Sequence, residues 1–357
     1  MADKRDWQYE LEAYIRQGEP TKAERSYAWR TAIGLQDVDG LETSKYLLDT
    51  AKEHIEGKIN IAEAQKRIES YYRKSNNRKQ VEADTEEADI VASRITELLG
   101  EKTFQFSPAE YKEIHRRLFA GVFDHAGKIR DYNISKPEWV LAGDTVTYAS
   151  FESINATLDY DFKTEKEFDY AGLSVDDVVK HIAKFTSDIW QIHPFGEGNT
   201  RATAVFIVKY LKTLGFDVSN DIFAENSWYF RNALVRANYN NLKKGITATT
   251  KYLDAFFENL LLGSTNELKN RYLHIDFESA TQSDKKDNPK CQSVTLEELA
   301  IINAIKNNPK ITQKELAVII GKSDRTVKRY MDTMQEKGII TRKNGKRNGE
   351  WDMLVYI

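Results

Sequence analysis

Cysteine is almost absent from this chain of 357 residues, in which Cys291 is the only one. A single thiol excludes an intramolecular disulfide and a metal cluster built from cysteines. Proteins without disulfides are typical of reducing compartments, so we expect a cytoplasmic protein.

Long apolar runs and a strong net charge are missing as well. No run reaches the roughly 18 apolar residues of a membrane helix, and residues 1–14 lack the apolar core of a signal peptide. The composition, 41% hydrophobic and 30% charged, is typical of a globular protein. The formal net charge is only -3, so attraction to nucleic acid or to a membrane would have to be local.

The most informative stretch is a polar loop at residues 193–201, which joins two apolar segments. Residues 175–192 place apolar side chains at helical spacing, and residues 202–211 are apolar on nearly every side. Pro194 predicts that the first helix ends near His193, because the residue before a proline disfavours the α region.

The second half of the loop favours an anion. Gly196 and Gly198 permit a tight turn with close backbone approach to a ligand, and Asn199 is a good N-cap for the next helix. The first turn of that helix offers N–H groups and the positive end of a dipole, which suit phosphate.

Each polar side chain of the loop has a chemical role that fits phosphate chemistry. His193 is suited to act as a general base, and Glu197 to hold a Mg²⁺ that also binds substrate phosphates. Arg201 offers a planar fork for phosphate oxygens, and Asn199 can donate to a developing oxyanion. The alternative is a loop that is merely polar and capped.

The loop resembles the signature of the Fic family, usually written His-x-Phe-x-(Asp/Glu)-Gly-Asn-Gly-Arg-x-x-Arg. The matching positions are His193, Phe195, Glu197, Gly198, Asn199 and Arg201. Thr200 replaces the second glycine, and Ala204 replaces the second arginine. Residues 118–121, 126–130 and 133–135 are also similar to the family, and the resemblance spans roughly residues 85–262.

The resemblance implies transfer of a nucleoside monophosphate, usually AMP from ATP, to a protein hydroxyl. It implies a mainly helical core. Residues 138–142 and 145–148 are strand-like and flank a Gly143–Asp144 turn, which predicts a β-hairpin that would be the flap of this family. In this family the flap holds the target segment, which would here be Val146, Thr147 and Tyr148. A flap that only stabilises the core is the alternative.

Two further sites follow from the resemblance. Tyr229 and Asn232 correspond to the helix that borders the nucleotide, whereas Tyr229 as a core residue is the alternative. Glu56, followed by Gly57, is similar to the end of an inhibitory helix whose glutamate restrains the site; an exposed glutamate at a helix end is the alternative. Lys52 replaces the hydroxyl residue of that motif.

A separate unit at the C-terminus resembles a winged helix-turn-helix. Thr312 and Glu315 form a capping-box pattern before an apolar helix, and Ser323 is suited to cap the next helix. That next helix directs four side chains outward that suit DNA: Arg325, Thr326, Lys328 and Arg329. Acidic neighbours dilute the charge, and such modules also dock proteins.

We therefore expect a mainly α protein with four parts: N-terminal helices at 1–83, a Fic catalytic domain at 84–275, a linker at 276–293 and a winged helix-turn-helix at 294–357. The expected function is adenylylation of a target Ser, Thr or Tyr, with self-modification and restraint by the N-terminal helices. The expected partners are ATP, Mg²⁺, a target protein and DNA, with a homodimer as a further possibility and no membrane. The rival hypothesis is a DNA-binding regulator that senses nucleotide.

Overall fold

A computed structural model describes residues 20–73, 80–277, 296–336, 339–343 and 350–353. The chain divides into two compact units. The first comprises Met1–Ile129, Glu197–Lys209 and Ser219–Trp228, and the second comprises Arg130–Gly196, Tyr210–Val218 and Tyr229–Ile357. The expected linker lies outside the described residues from position 278 onward.

The regular elements in the described part of the first unit are helices joined by turns and loops. Its helices are α1 (Lys22–Gly34), α2 (Lys45–Ile55), α3 (Ile61–Arg73), α4 (Gln80–Gly100) and α5 (Pro108–Phe119), with a 3-10 turn at Leu35–Asp39. Local capping accounts for several starts: Thr21 and Glu24 form a capping box before α1, and Ser107 caps α5 with Pro108 in its first turn.

Two helices contain residues of both units, α8 (Asn199–Thr213) and α9 (Ile222–Ala237). The second unit also contains α6 (Ile154–Glu167), α7 (Val175–Ile192) and α10 (Lys251–Leu262). Helix α7 packs against α6 and α10. Its apolar side chains at helical spacing, Val178, Ile182, Phe185 and Ile189, are buried, which confirms the predicted core face.

The C-terminal part of the second unit is a winged helix-turn-helix, as predicted. It consists of α11 (Leu296–Asn307), α12 (Gln313–Ile320), α13 (Asp324–Glu336), β1 (Ile340–Lys343) and β2 (Glu350–Met353). The capping box of Thr312 and Glu315 is formed. The two strands pair antiparallel, with Thr341 opposite Asp352.

The mainly helical fold class is confirmed, but the predicted β-hairpin is wrong. Residues 139–141 form a 3-10 turn instead of a strand, and residues 145–148 have an irregular conformation. The segment does reverse direction, because Glu138 N donates to Asp144 O at 2.8 Å.

Tertiary contacts explain the difference. Val140 O accepts a hydrogen bond from Ile275 N at 3.0 Å, and the buried carboxylate of Glu138 pairs with Arg231 at 2.5 Å. These partners lie far along the chain, so the local apolar pattern that predicts a strand does not include them. Among the described residues, no helix has both the length and the apolar character needed to cross a membrane.

Helix α1 ends in close contact with the first turn of α9. A Cβ atom added at Gly34 would lie 2.2 Å from the carbonyl oxygen of Ala224. Ser227 Oγ donates to Gly34 O at 2.6 Å in the same contact. The position therefore requires glycine because of backbone proximity.

We expect Gly34→Ala to lower the free energy of unfolding by about 1–3 kcal/mol, because the added methyl group must push two backbones apart. Urea unfolding followed by circular dichroism measures this change. Gly100→Ala is the matched control, since its Cβ would lie 3.4 Å from Pro20 Cγ, an ordinary contact. Equal unfolding midpoints for the two variants would contradict this explanation.

Candidate active site

The loop at residues 193–201 is divided between the units, with residues 193–196 in the second and 197–201 in the first. Helix α7 ends at His193, which has the left-handed angles φ 49° and ψ 59°. Its N–H donates to Trp190 O at 3.0 Å. The predicted helix end before Pro194 is therefore confirmed. A left-handed backbone is uncommon for a residue other than glycine, so other contacts must hold it.

Arg130 supplies those contacts. Its side chain is buried, and Nε donates to His193 O at 2.8 Å while Nη2 donates to Ile192 O at 3.2 Å. Nη2 also donates to Ala149 O at 2.5 Å, and the Arg130 N–H donates to Pro194 O at 2.9 Å. A cation is favourable at the C-terminal end of a helix, where carbonyl groups lack intrahelical partners.

The imidazole of His193 is buried and oriented. Its Nδ1 lies 3.2 Å from Trp190 O, and the Tyr148 ring packs against it with centroids 4.3 Å apart. A carbonyl oxygen only accepts, so Nδ1 carries the hydrogen and Nε2 has the lone pair. Burial, together with the nearby charge of Lys136, lowers the pKa of His193 well below 6.5. The ring is therefore neutral at pH 7 and able to accept a proton at Nε2.

The second half of the loop begins a helix, as predicted, but Asn199 is its first residue and Gly198 takes the capping position predicted for Asn199. Gly198 has φ 75°, and a Cβ atom there would lie 2.4 Å from the ring of Phe119. Helix α8 begins at Asn199, and Ala202 N donates to Gly198 O at 3.0 Å. Asn199 and Thr200 are both buried. The turn thus requires glycine both for its conformation and for its contact with Phe119.

His115 supports this turn from α5. Gly127 N donates to His115 Nδ1 at 2.9 Å, so Nδ1 is the acceptor and Nε2 carries the hydrogen. Nε2 lies 2.9 Å from Glu197 O and donates to it. Burial lowers the pKa of His115 to about 4, so the ring is neutral and joins residue 127 to the turn.

Arg201 lies inside a cage of protein oxygens. Its side chain is 2% exposed, with Nε 2.8 Å from Asp39 Oδ2 and Nη2 2.7 Å from Glu87 Oε1. Nη1 donates to Gln36 Oε1 at 3.1 Å, and the guanidinium lies 4.8 Å from the centroid of the Phe119 ring. The predicted phosphate ligand is thus paired with two carboxylates of the N-terminal half of the chain.

The predicted regulatory residue Glu56 has a different partner. Its carboxylate accepts from Lys58 Nζ at 2.6 Å, and its side chain is 47% exposed. The structure therefore does not bring Glu56 to Arg201. The side chain at Ala204, where the family signature has an arginine, is fully buried.

Glu197, the predicted metal ligand, has an exposed side chain. The described residues contain no group of three or more His, Cys, Asp or Glu that could hold a metal ion by themselves. A single exposed carboxylate is compatible with Mg²⁺, which commonly takes one or two carboxylates and completes its shell with substrate phosphates and water.

The residues predicted to border a nucleotide base are buried in the second unit. Tyr229 is 2% exposed. Asn232 Nδ2 donates to Asn270 Oδ1 at 2.8 Å, and Asn232 Oδ1 is buried with no hydrogen-bond partner among the described residues. Helix α9 bends at Asn226, where φ is -131° and ψ is 28°.

The predicted target-docking residues differ in exposure. Val146 and Tyr148 are buried, and Thr147 is exposed. The carbonyl oxygen of Thr147 accepts from Gln191 Nε2 at 3.0 Å.

The predicted DNA-binding residues share one exposed surface of α13. Arg325, Lys328 and Arg329 are exposed, Thr326 is half-buried, and Val327 between them is buried. The burial pattern of this helix therefore follows the predicted amphipathic division.

The sequence pattern did not indicate that Gln36, Asp39 and Glu87 are the partners of Arg201, nor that His115 and Arg130 support the loop. Arg130 stands in a run, residues 126–130, that is part of the family resemblance, so a signal for it was present. The three partners of Arg201 carry no comparable signal, because an acidic or amide side chain in a charged N-terminal region is usually solvated.

Comparison with known proteins agrees with the two sequence resemblances. The family described as Fic/DOC matches residues 105–211, and a winged helix-turn-helix DNA-binding family matches residues 298–341. The chain is similar to Protein adenylyltransferase VbhT of Bartonella schoenbuchensis, with 24% identity over 175 residues, which are 49% of this chain and 35% of that protein.

Two further relatives are also named as protein adenylyltransferases. Probable protein adenylyltransferase y4lH of Sinorhizobium fredii is 28% identical over 39% of this chain and 69% of its own length. Probable protein adenylyltransferase Fic of Salmonella typhimurium is 29% identical over 32% of this chain and 54% of its own length. The chain thus spans about a third of VbhT and about half of the Salmonella protein. The chain is also similar to a solved structure, the N-terminal Fic domain of a Bartonella effector protein (Bep) from Bartonella sp. AR 15-3. The sequence identity is 21% and the TM-score is 0.42, and the match covers 53% of this chain and 85% of that one.

We expect the stability of the protein to depend on pH through His115. Its pKa is about 4 in the folded chain and 6.5 ordinarily, so the unfolded state binds more protons between these values. The stabilisation is complete above pH 6.5 and is lost as the pH falls toward 4, by up to about 3 kcal/mol. Urea unfolding at a series of pH values measures it.

His115→Gln should show a smaller decrease over the same window. His54, whose pKa is also lowered to about 4 by burial, titrates in both proteins and cancels in the difference. Parallel pH profiles for wild type and variant would contradict the role of His115.

Proposed function

We propose that the chain transfers AMP from ATP to a hydroxyl side chain of a protein, because residues 105–211 match the Fic/DOC family. The three curated relatives named protein adenylyltransferases support this activity. The acceptor is a Ser, Thr or Tyr of a target protein or of the chain itself.

The observation that supports the proposal most directly is the state of His193. An imidazole that donates from Nδ1 to Trp190 O presents the Nε2 lone pair, and a lowered pKa keeps this atom unprotonated at pH 7. A general base requires an unprotonated nitrogen of this kind. A residue that only sensed nucleotide would not need one.

In the proposed reaction, His193 Nε2 takes the proton of the acceptor hydroxyl. The hydroxyl oxygen then forms a bond to the α-phosphorus of ATP, while the bond from that phosphorus to the bridging oxygen breaks and pyrophosphate leaves. Asn199 and the first-turn N–H groups of α8 hold the α-phosphate oxygens, since the N-terminal end of a helix favours an anion. The rate gain would come from positioning and charge stabilisation.

Glu197 would hold Mg²⁺ against the phosphates. When bound, this ion neutralises negative charge on the phosphate oxygens. The backbone N–H groups of Gly196 and Gly198 contribute to the same phosphate-holding turn.

Thr200 and Ala204 weaken this arrangement relative to the family signature. Thr200 keeps its N–H but adds a side chain to the turn, and Ala204 offers no charge to a γ-phosphate. Other donors with a diphosphate linkage are therefore compatible with the loop.

For the nucleotide base, we assign Tyr229 and Asn232. The Asn232 Oδ1 atom is buried and has no partner among the described residues, so it can accept a hydrogen bond from an exocyclic amine. An unsatisfied buried acceptor is costly, and a bound base would remove that cost. The target segment would dock beside residues 146–148.

The N-terminal helices would restrain the reaction through Asp39 and Glu87. Both carboxylates pair with Arg201, the residue that we assign to the β-phosphate. Phosphate oxygens and carboxylates compete for the same guanidinium donors. Nucleotide binding would then require these carboxylates to release Arg201, while Glu56 would have no direct part.

A second function is supported by the C-terminal unit. The exposed side chains of Arg325, Lys328 and Arg329 on α13 carry three positive charges on the helix that enters the DNA groove in helix-turn-helix proteins. DNA binding through this unit is compatible with transferase activity.

We expect His193→Ala to reduce labelling with radioactive ATP and Mg²⁺ by about 10²–10⁴-fold, because the base is removed. Intact-mass measurement of the wild type should show addition of one AMP group on the chain or on a co-purified target. His125→Ala, a histidine outside the loop, should retain labelling. Retention of labelling by His193→Ala would reject the assignment, and DNA binding without any labelling would favour the regulator.

We expect Asp39→Ala to increase ATP affinity about five-fold or more, because it frees one edge of the Arg201 guanidinium. Isothermal titration calorimetry measures the affinity. Asp37→Ala is the matched control, since Asp37 is an exposed acid in the same 3-10 turn. An affinity that is unchanged or weaker in Asp39→Ala than in Asp37→Ala would contradict the proposed restraint.

A further inference from the structure

Arg236, near the end of α9, is a buried cation in which two side-chain nitrogens lack an acceptor among the described residues. The residue is 9% exposed, and its Nε and Nη1 atoms have no hydrogen-bond partner among the described residues. Arg130, Arg201 and Arg231 differ, because each lies against protein oxygens. Arg201 Nε also makes no well-directed hydrogen bond, but it lies 2.8 Å from the Asp39 carboxylate. Burial lowers the pKa of Arg236. A buried guanidinium that lacks an acceptor is costly, so this site is incomplete by itself.

Arg236 lines a cleft of about 780 Å³ that lies within the second unit. Three other basic residues line the same cleft: Lys251 at the start of α10, Arg271 in the 3-10 turn Asn270–Tyr272, and His274. The described lining includes no Asp or Glu. The lining therefore carries the positive charges of Arg236, Lys251 and Arg271, while Glu267 interacts with Arg271 and Asp276 lies 4.0 Å from His274.

Hydrogen bonds fix the walls of this cleft. Tyr252 Oη donates to Tyr272 O at 2.7 Å, which ties α10 to the 3-10 turn. Thr249 N donates to Arg236 O at 3.1 Å, which ties the start of α10 to the end of α9. The basic groups are thus carried by elements that are joined to one another.

Aromatic rings accompany the charges. Lys251 Nζ lies 4.6 Å from the centroid of the Tyr252 ring, and the Arg271 guanidinium lies 4.9 Å from that of Tyr272. Both rings line the cleft. A flat apolar ring on the ligand would therefore find aromatic walls beside the cations.

We propose that this cleft binds a nucleotide-sized phosphate ester, with Arg236 as the buried donor and Lys251 and Arg271 as charges at its rim. A guanidinium fork matches phosphate oxygens, and clefts of a few hundred to about 1,000 Å³ are typical of small-ligand sites. The lining of the cleft shares no residue with the loop at 193–201 or with Tyr229 and Asn232, so the inference goes beyond the proposed transferase.

The test uses the full-length protein with AMP and with inorganic pyrophosphate as probes, followed by isothermal titration calorimetry and thermal unfolding. Arg236→Met should weaken AMP binding about 10- to 100-fold, because charged hydrogen bonds are lost. The ligand-free midpoint of unfolding should stay equal or rise, because methionine replaces an uncompensated buried charge. Lys243→Met removes one exposed charge outside the cleft and should change neither property.

A second variant, at the rim of the cleft, tests the proposal even if Arg236→Met does not fold. Arg271 is exposed, and Arg271→Gln should weaken AMP binding about 2- to 5-fold. AMP binding that is equal in wild type and both variants would overturn the proposal. A lowered midpoint in Arg236→Met with unchanged AMP affinity would also overturn it, because Arg236 would then be structural. Pyrophosphate binding as tight as that of AMP would overturn the role of the rings.

The result of this binding test does not depend on whether the chain has transferase activity. His193→Ala leaves the cleft intact and should retain the Arg236-dependent binding. Arg236-dependent binding in a protein that ATP does not label would reject the transferase alone, whereas labelling without such binding would reject the cleft alone.

Discussion

Removal of a guanidinium from water is costly unless oxygen atoms replace its lost hydration, and both halves of the loop between α7 and α8 depend on this constraint. Arg130 satisfies it with the carbonyl oxygens of Tyr132, Ala149, Ile192 and His193. Arg201 satisfies it with the side chains of Gln36, Asp39 and Glu87. The oxygens around Arg130 belong to the backbone, so that contact sets the chain path.

The backbone contact has a direct chemical consequence for His193. Because Arg130 binds the carbonyl oxygens of residues 192 and 193, the left-handed turn at His193 is held in place and its imidazole stays against Trp190 and Tyr148. The hydrogen bond from Nδ1 then selects one tautomer. In this way a distant arginine determines which nitrogen of a buried histidine is available to accept a proton.

The side-chain contact of Arg201 has a different consequence, because carboxylates and phosphates are alternative partners of the same donors. Arg201 is paired in the structure, and its partners come from the 3-10 turn Leu35–Asp39 and from α4. A phosphate ligand would therefore compete with the N-terminal half of the chain. Arg236 is the contrasting case, since the described residues supply no acceptor for its Nε and Nη1 atoms.

Interactions within a few residues made the helices predictable from the sequence. The capping box of Thr312 and Glu315, the Ser107–Pro108 start of α5 and the helix end before Pro194 all depend on neighbours within about four residues. The polar loop with His193, Glu197, Asn199 and Arg201 was visible for the same reason.

The pairs Arg201–Gln36 and Arg130–His193 span 165 and 63 residues, and no local pattern encodes them. Nor does the strand-like run at 138–142 encode its partners Arg231 and Ile275. The sequence by itself therefore determined the helical elements and the chemistry of the loop, whereas only the tertiary structure decided which groups hold that chemistry, because buried charges take their partners from whatever the fold brings near.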